Sequence, residues 1–128
     1  VARPDGAYGR LESVTPEQLC ALPLVMREGG SGTLEVTAAA LARAGIRLRM
    51  LRIVMRLGST EGIKAFVRNS DTLAIVSVIA VVDELRRGEL RVIDLEGLSL
   101  RRSFSFVHPA AELPESVRRF TAFARASL

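Results

Sequence analysis

An α/β fold, a mostly parallel sheet flanked by helices, is predicted by three features of the chain. Short apolar runs of strand length alternate with stretches of helical period. Gly29-Gly30-Ser31-Gly32-Thr33 and Gly58-Ser59-Thr60-Glu61 each stand where a strand would end and a helix begin. Leu73-Ala74-Ile75-Val76 is continuously apolar, as suits a parallel strand covered on both faces.

Val1 to Gly6 reads as a strand end entering a turn, punctuated by Pro4 and Gly6. Thr15-Pro16-Glu17-Gln18 starts a short helix that ends before Pro23, with Thr15 as N-cap, Pro16 at the first helical position and Gln18 placed for a capping box. Leu24-Val25-Met26 follows as a short buried strand. A long helix is expected from about Thr33 to Ala44, with Leu34, Ala38, Leu41 and Ala42 on its apolar face and Gly45 as its stop. Leu51 to Leu57 alternates as a half-buried strand. The next helix starts at Ser59 or Thr60 and carries Ile63, Phe66 and Val67.

Val78 to Arg87 reads as a helix closed by Gly88, and Leu90 to Ile93 as a strand. Arg102 to Val107 has strand alternation, with Phe104 and Phe106 on one face. A last helix spans Glu115 to Leu128, with Val117, Phe120, Phe123 and Ala124 as its apolar stripe.

Composition narrows the function. A length of 128 residues fits one domain, and 48% hydrophobic with 25% charged residues argues against disorder. The single cysteine, Cys20, excludes an intramolecular disulfide and a cysteine-based zinc site; with one histidine, His108, no metal site is expected. Apolar runs fall short of a membrane span, and Val1 to Arg10 lacks the pattern of a signal peptide. The chain begins at Val1 rather than at methionine, so an upstream segment is expected.

The net charge of +4 invites a nucleic-acid reading. Against it, the arginines are scattered through every segment, and one tyrosine and no tryptophan leave little for base stacking. Lys64 is the sole lysine. No nucleophile elbow, metal-ligand cluster or acid–base carboxylate pair emerges, so no catalytic residue and no cofactor are expected.

Gly30-Ser31-Gly32-Thr33 is the strongest local signal. Glycines let the backbone approach a ligand, and the free amides and dipole of a helix start favour an anion. The plainer alternative is that Ser31 simply caps the helix and the glycines make a turn. The required Gly-Lys-Ser/Thr ending of a P-loop is absent. Gly58, Ser59 and Thr60 form a second such junction, where ordinary capping is the stronger reading. Asn69-Ser70-Asp71-Thr72 reads as a polar turn, and Ser77 lies just past a strand where side chains would face a cleft.

Taken together, Leu22 to Thr33, Leu57 to Lys64, Leu73 to Ser77, Val82 to Leu90 and Phe104 to His108 with the terminal helix resemble the effector-binding domain of LysR-type transcriptional regulators. The resemblance runs through the whole chain in consistent order. It implies a fold like type 2 periplasmic binding proteins, with two α/β lobes that hold a small, often anionic molecule between them. About 11–100 would form lobe two. Residues 1–10 and 101–128 would supply the crossing strands and final helix of lobe one, with the DNA-binding domain lying outside this chain.

The resemblance further implies a cytoplasmic protein that forms a dimer or tetramer, contacts DNA through an N-terminal domain and involves no membrane. Gly30, Ser31, Gly32, Thr33, Gly58, Ser59, Thr60 and Ser77 match cleft-facing loops. One departure stands out: many relatives have Gly-x-Gly-Ile-Ala where this chain has Asn69-Ser70-Asp71-Thr72-Leu73-Ala74. The more polar turn is expected to alter the cleft rim. Two other classes share the fold: solute-binding proteins of transporters, and two-lobed enzymes such as prephenate dehydratase or porphobilinogen deaminase, whose catalytic motifs are not found here. A role mainly in assembly, through the strand at Leu51 to Leu57, is the remaining alternative.

Overall fold

The computed structural model describes residues 1–101, 105–108 and 112–126. A short strand β1 (Ser13–Val14) precedes helix α1 (Pro16–Ala21), whose capping box is formed as its sequence demands: the Gln18 amide donates to Thr15 Oγ1 at 3.2 Å and the Thr15 amide to Gln18 Oε1 at 2.9 Å. Strand β2 (Leu24–Arg27) then enters the interior, with Leu24, Val25 and Met26 all buried.

Helix α2 (Gly32–Arg43) leads to strand β3 (Ile53–Leu57), and helix α3 (Thr60–Arg68) to strand β4 (Leu73–Ala74). The three strands are parallel in the order β3-β2-β4, with Leu24 beside both Ile53 and Leu73. A register irregularity between Leu24 and Val25 leaves Val54 as the extra residue of β3. A 3-10 turn at Val78–Val81 and helix α4 (Val82–Arg86) follow, then strand β5 (Asp94–Leu95), which pairs in parallel with β1 as a separate ladder.

The connections sort by face. Leu34 and Leu41 of α2 pack with Leu24 and Met26 on one side of the sheet, while Ile63 and Val67 of α3 and Val81 pack with Val25 and Ala74 on the other. Alternation along β2 produces this division, since successive side chains of a strand point to opposite faces. Each fully buried aliphatic side chain, such as Leu41 or Ile63, contributes about 1.5–3 kcal/mol.

The first residues join this same sheet. The Val1 nitrogen donates to the Ala74 carbonyl at 2.8 Å, the Ala74 amide returns to the Val1 carbonyl at 3.0 Å, and Ala2 bridges antiparallel to Arg91.

Several elements differ from the sequence expectation. On α2, Thr37 and Ala40 are buried while Ala42 is exposed, because the helix leans on the sheet along Leu34, Thr37 and Leu41. The helix expected over 78–87 divides into a 3-10 turn and the five residues of α4. The strand expected at Leu90 to Ile93 is a single bridge at Arg91, and the ladder forms two residues beyond it, opposite β1.

Residues 105–108 carry no strand, and Phe104 lies outside the described residues. The last helix, α5 (Glu115–Ala126), is present, but Phe120 and Phe123 are 62% and 70% exposed. Its only aromatic contact among the described residues is an edge-to-face pair of Phe120 with Phe106, at 6.3 Å. The stripe is thus where its period put it, facing no core. Ser127 and Leu128, expected in this helix, lie outside the described residues.

Candidate functional site

Three parallel strands place their carboxyl ends on one edge of the sheet, so the loops after Arg27, Leu57 and Ala74 lie side by side there. The loop of the central strand leads to α2 on one face, whereas both neighbours lead to α3 and α4 on the other. Where consecutive connections part in this way, a crevice opens at the strand ends.

The central loop turns through Gly30 at φ 84°, a left-handed conformation that a side chain would strain. It delivers Ser31 as an extended N-cap to α2. Ser31 is 7% exposed and its hydroxyl makes no capping bond. Its carbonyl accepts the Glu35 amide at 3.0 Å, so the helix begins normally, yet the amides of Gly32, Thr33 and Leu34 receive no side-chain cap. Thr33 uses its carbonyl to accept from Thr37 Oγ1 at 2.8 Å, leaving its own hydroxyl without a partner among the described residues.

The second loop behaves differently. Ser59 Oγ accepts the Gly62 amide at 3.0 Å and is an ordinary cap. Thr60 Oγ1 accepts from Arg27 at 3.3 Å, and the Gly58 carbonyl accepts from the same guanidinium at 3.2 Å. Arg27 also pairs with Glu28 at 3.0 Å, a contact that raises the guanidinium pKa and lowers that of the carboxyl. This arginine at the end of β2 ties the first loop to the second. It was not among the residues singled out from the sequence, although a basic residue closing a strand just before a glycine loop was visible there.

Ser77 begins the 3-10 turn of the third loop, is exposed, and makes no side-chain cap. That turn is held by Lys64, whose ammonium donates to the Ala80 carbonyl at 3.1 Å and pairs with Glu61 at 2.8 Å and Glu84 at 3.0 Å. Hydrogen bonds from Glu61 and then Glu84 raise the Lys64 pKa, and the Lys64 hydrogen bond lowers that of Glu84 against the opposing effect of desolvation. Glu84 Oε2 is buried without a hydrogen-bond partner, so the lysine carries most of the compensation for that carboxylate. The only lysine in an arginine-rich chain, three residues after Glu61, was the signal for this contact.

Thr33 and Ser77 share one wall of a cavity of about 430 Å³, which also borders Val36, Ile75, Val78 and Ile93. Ser31, Gly58, Ser59 and Thr60 do not line it. The edge therefore holds all eight candidate residues on adjacent loops, but only two of them on a common cavity.

The polar turn Asn69 to Thr72 corrects an expectation. It precedes β4 and so stands at the opposite, amino end of the sheet, away from the cleft rim. Asp71 there accepts from the Ala7 amide at 3.0 Å and from Arg3 at 3.0 Å, and both lower its pKa, the amide more. The turn anchors the first residues of the chain instead of shaping a site. Among the described residues no group of three or more His, Cys, Asp or Glu is placed to hold a metal ion, and no helix is long and apolar enough to cross a membrane.

A family model described as the LysR substrate binding domain matches residues 1–128. Among curated relatives, a "Phosphonates import ATP-binding protein PhnC" of Anaeromyxobacter dehalogenans is 37% identical over 91% of this chain and 24% of its own length. A "RuBisCO operon transcriptional regulator" of Acidithiobacillus ferrooxidans is 30% identical over 88% of this chain and 35% of its own. The "HTH-type transcriptional regulator CbbR" of Xanthobacter flavus is 35% identical over 76% of this chain and 28% of its own. The chain thus spans about a quarter to a third of the length of these relatives.

Proposed function

Because the chain belongs to the LysR substrate-binding domain family, we propose that it is the effector-sensing module of a transcription regulator. On this reading it holds a small anion between two lobes and passes lobe closure to a DNA-binding part of the intact protein. The observation that carries the reading is the start of α2: a buried serine hydroxyl and three helix-terminal amides, none of them capped, on the edge where the connections part. Buried polar groups are nearly always hydrogen-bonded, so an unused one at a helix start points to a partner from outside the chain. The module performs no chemistry and works in the cytoplasm.

Residues 11–100 make up the second lobe in this proposal, and the exposed aromatic face of α5 belongs against the first. The edge strand β3, with Val54 and Met55 exposed, is the surface for pairing into a dimer or tetramer. A transport reading has one observation in its favour, the import ATP-binding name of the Anaeromyxobacter relative.

The two readings part on DNA. For a regulator, ligand changes the migration of the intact protein on its promoter; for a transport component it does not. At the site, calorimetry of the intact protein with inorganic phosphate, methylphosphonate and simple carboxylates tests the anion directly. Replacing Ser31 and Thr33 together by alanine is expected to weaken binding about tenfold or more, from lost hydrogen bonds to a charged group. Unchanged affinity would remove both residues from the ligand's surroundings.

A further inference from the structure

The cavity beside α2 says what kind of anion fits. At about 430 Å³ it lies within the ~300–1,000 Å³ typical of small-molecule sites. Its walls are mainly aliphatic: Val36 from α2, Ile75 and Val78 from the third loop, Ile93 from the segment before β5. Four groups interrupt them. Thr37 already donates its hydroxyl to the Thr33 carbonyl. Asp94, on β5, is a carboxylate and repels an anion at that end. Thr33 and Ser77 remain, two hydroxyls with no partner among the described residues, the first of them in the opening turn of α2.

A sugar phosphate or another ligand polar all round would leave its hydroxyls unpaired against these walls, at a cost for each buried group that finds no bond. An inorganic anion would leave the aliphatic surface wet. We propose that the ligand is an amphipathic monoanion. Its acidic head sits at the first turn of α2 between Thr33 and Ser77, and its hydrocarbon body lies along Val36, Ile75, Val78 and Ile93. This rests on the anion-sensing reading above and adds the ligand's chemical class to it. Asp94 fixes the polarity of binding, head toward α2 and tail toward β5.

The test is a calorimetric series on the intact protein with acetate, butanoate, hexanoate and octanoate, beside inorganic phosphate and hexanol. Affinity is expected to rise about three- to fourfold for each added methylene until the cavity is filled, the transfer value of one buried CH₂. Thr33→Ala should lower the whole series by one factor. Val78→Asp, at a position exposed enough to fold, should flatten the dependence on chain length. Phosphate binding at least as tightly as octanoate, with no chain-length dependence, overturns the amphipathic ligand and leaves the anion reading standing. Hexanol equalling hexanoate removes the acidic head. Chain-length dependence that survives Val78→Asp puts the tail elsewhere and overturns the assignment, and an absence of binding across every anion overturns both readings.

Discussion

Ser31 and Ser59 hold the same grammatical position, extended N-caps between a parallel strand and a helix on one edge of one sheet. Their hydroxyls are in opposite states. Ser59 is exposed and bonded to the Gly62 amide, whereas Ser31 is buried and bonded to nothing among the described residues. A cap that water can reach still closes its helix internally; one withdrawn from water leaves its helix end open. The difference teaches that the capping preference of serine is a local property, while its availability to a ligand is decided by burial and by which face the following helix takes.

The sharpest way to break this comparison is to give both positions a carboxylate. Aspartate caps helices about as well as serine. Ser59→Asp should therefore keep both stability and ligand affinity close to the starting values. Ser31→Asp places a negative charge where the anion is proposed to sit, and like-charge contact costs several kcal/mol, a loss of about a hundredfold or more in affinity. Isothermal titration of the two variants decides it: equal affinities would mean that the opening of α2 does not face the ligand.

Alanine sharpens the contrast in stability. Ser59→Ala removes a formed cap and should cost about 1 kcal/mol. Ser31→Ala removes a buried hydroxyl that has no bond to lose, so stability should hold or rise by up to about 1 kcal/mol. Urea midpoints of the two variants would then move in opposite directions. A loss at Ser31 as large as that at Ser59 would show a capping bond there after all.

Much of this was legible in the sequence, and what was not has physical reasons. Period and punctuation located α1, β2, α2, α3 and β4, because Pro16, Gly45 and the apolar alternation act over a few residues. The resemblance of the ordered motifs named the family that the comparisons show. The sequence could not separate Ser31 from Ser59, because their burial depends on strand order. Arg27 and Lys64 escaped for a related reason: each acts across 16 to 33 residues of chain, Lys64 on Ala80 and Arg27 on Thr60, distances at which no period speaks. The stripe of α5 was read correctly as apolar, but its period could not say that its partner lies outside the described residues.

Arg27 offers a smaller effect that bears on how the two loops communicate. Its guanidinium reaches Thr60, Gly58 and Glu28 at once, a fork that a point-charge ammonium cannot reproduce. Arg27→Met should weaken ligand binding by about two- to fivefold, the range of a modest coupling between sites. Arg27→Lys should recover only part of it. Should Arg27→Met leave affinity untouched while the fold is intact by circular dichroism, the second loop takes no part in holding the first in place.

Acid provides the mildest separation of the two loops, and its sign follows from the shifted groups. The Glu84 carboxyl lies below its usual 4.5 because Lys64 bonds to it, and Lys64 is raised by Glu61 and Glu84. A depressed carboxyl contributes stability that is complete above the unfolded pKa and is lost as pH falls through the folded one. The raised lysine contributes below its own unfolded value and loses nothing in acid, so the effect below pH about 4.5 belongs to the carboxyls. These contacts join α3 to α4 and the third loop, while the buried face of α2 is held by Leu34, Thr37, Ala40 and Leu41, which do not titrate. Amide exchange followed from pH 6 toward pH 3, corrected for the intrinsic rate, should therefore show protection falling first in Ile63 to Arg68 and Val82 to Arg86. If α2 opens first or all three helices open together, the loop that carries Ser31 has no stability independent of the ion cluster, and the contrast between the two serines dissolves at low pH.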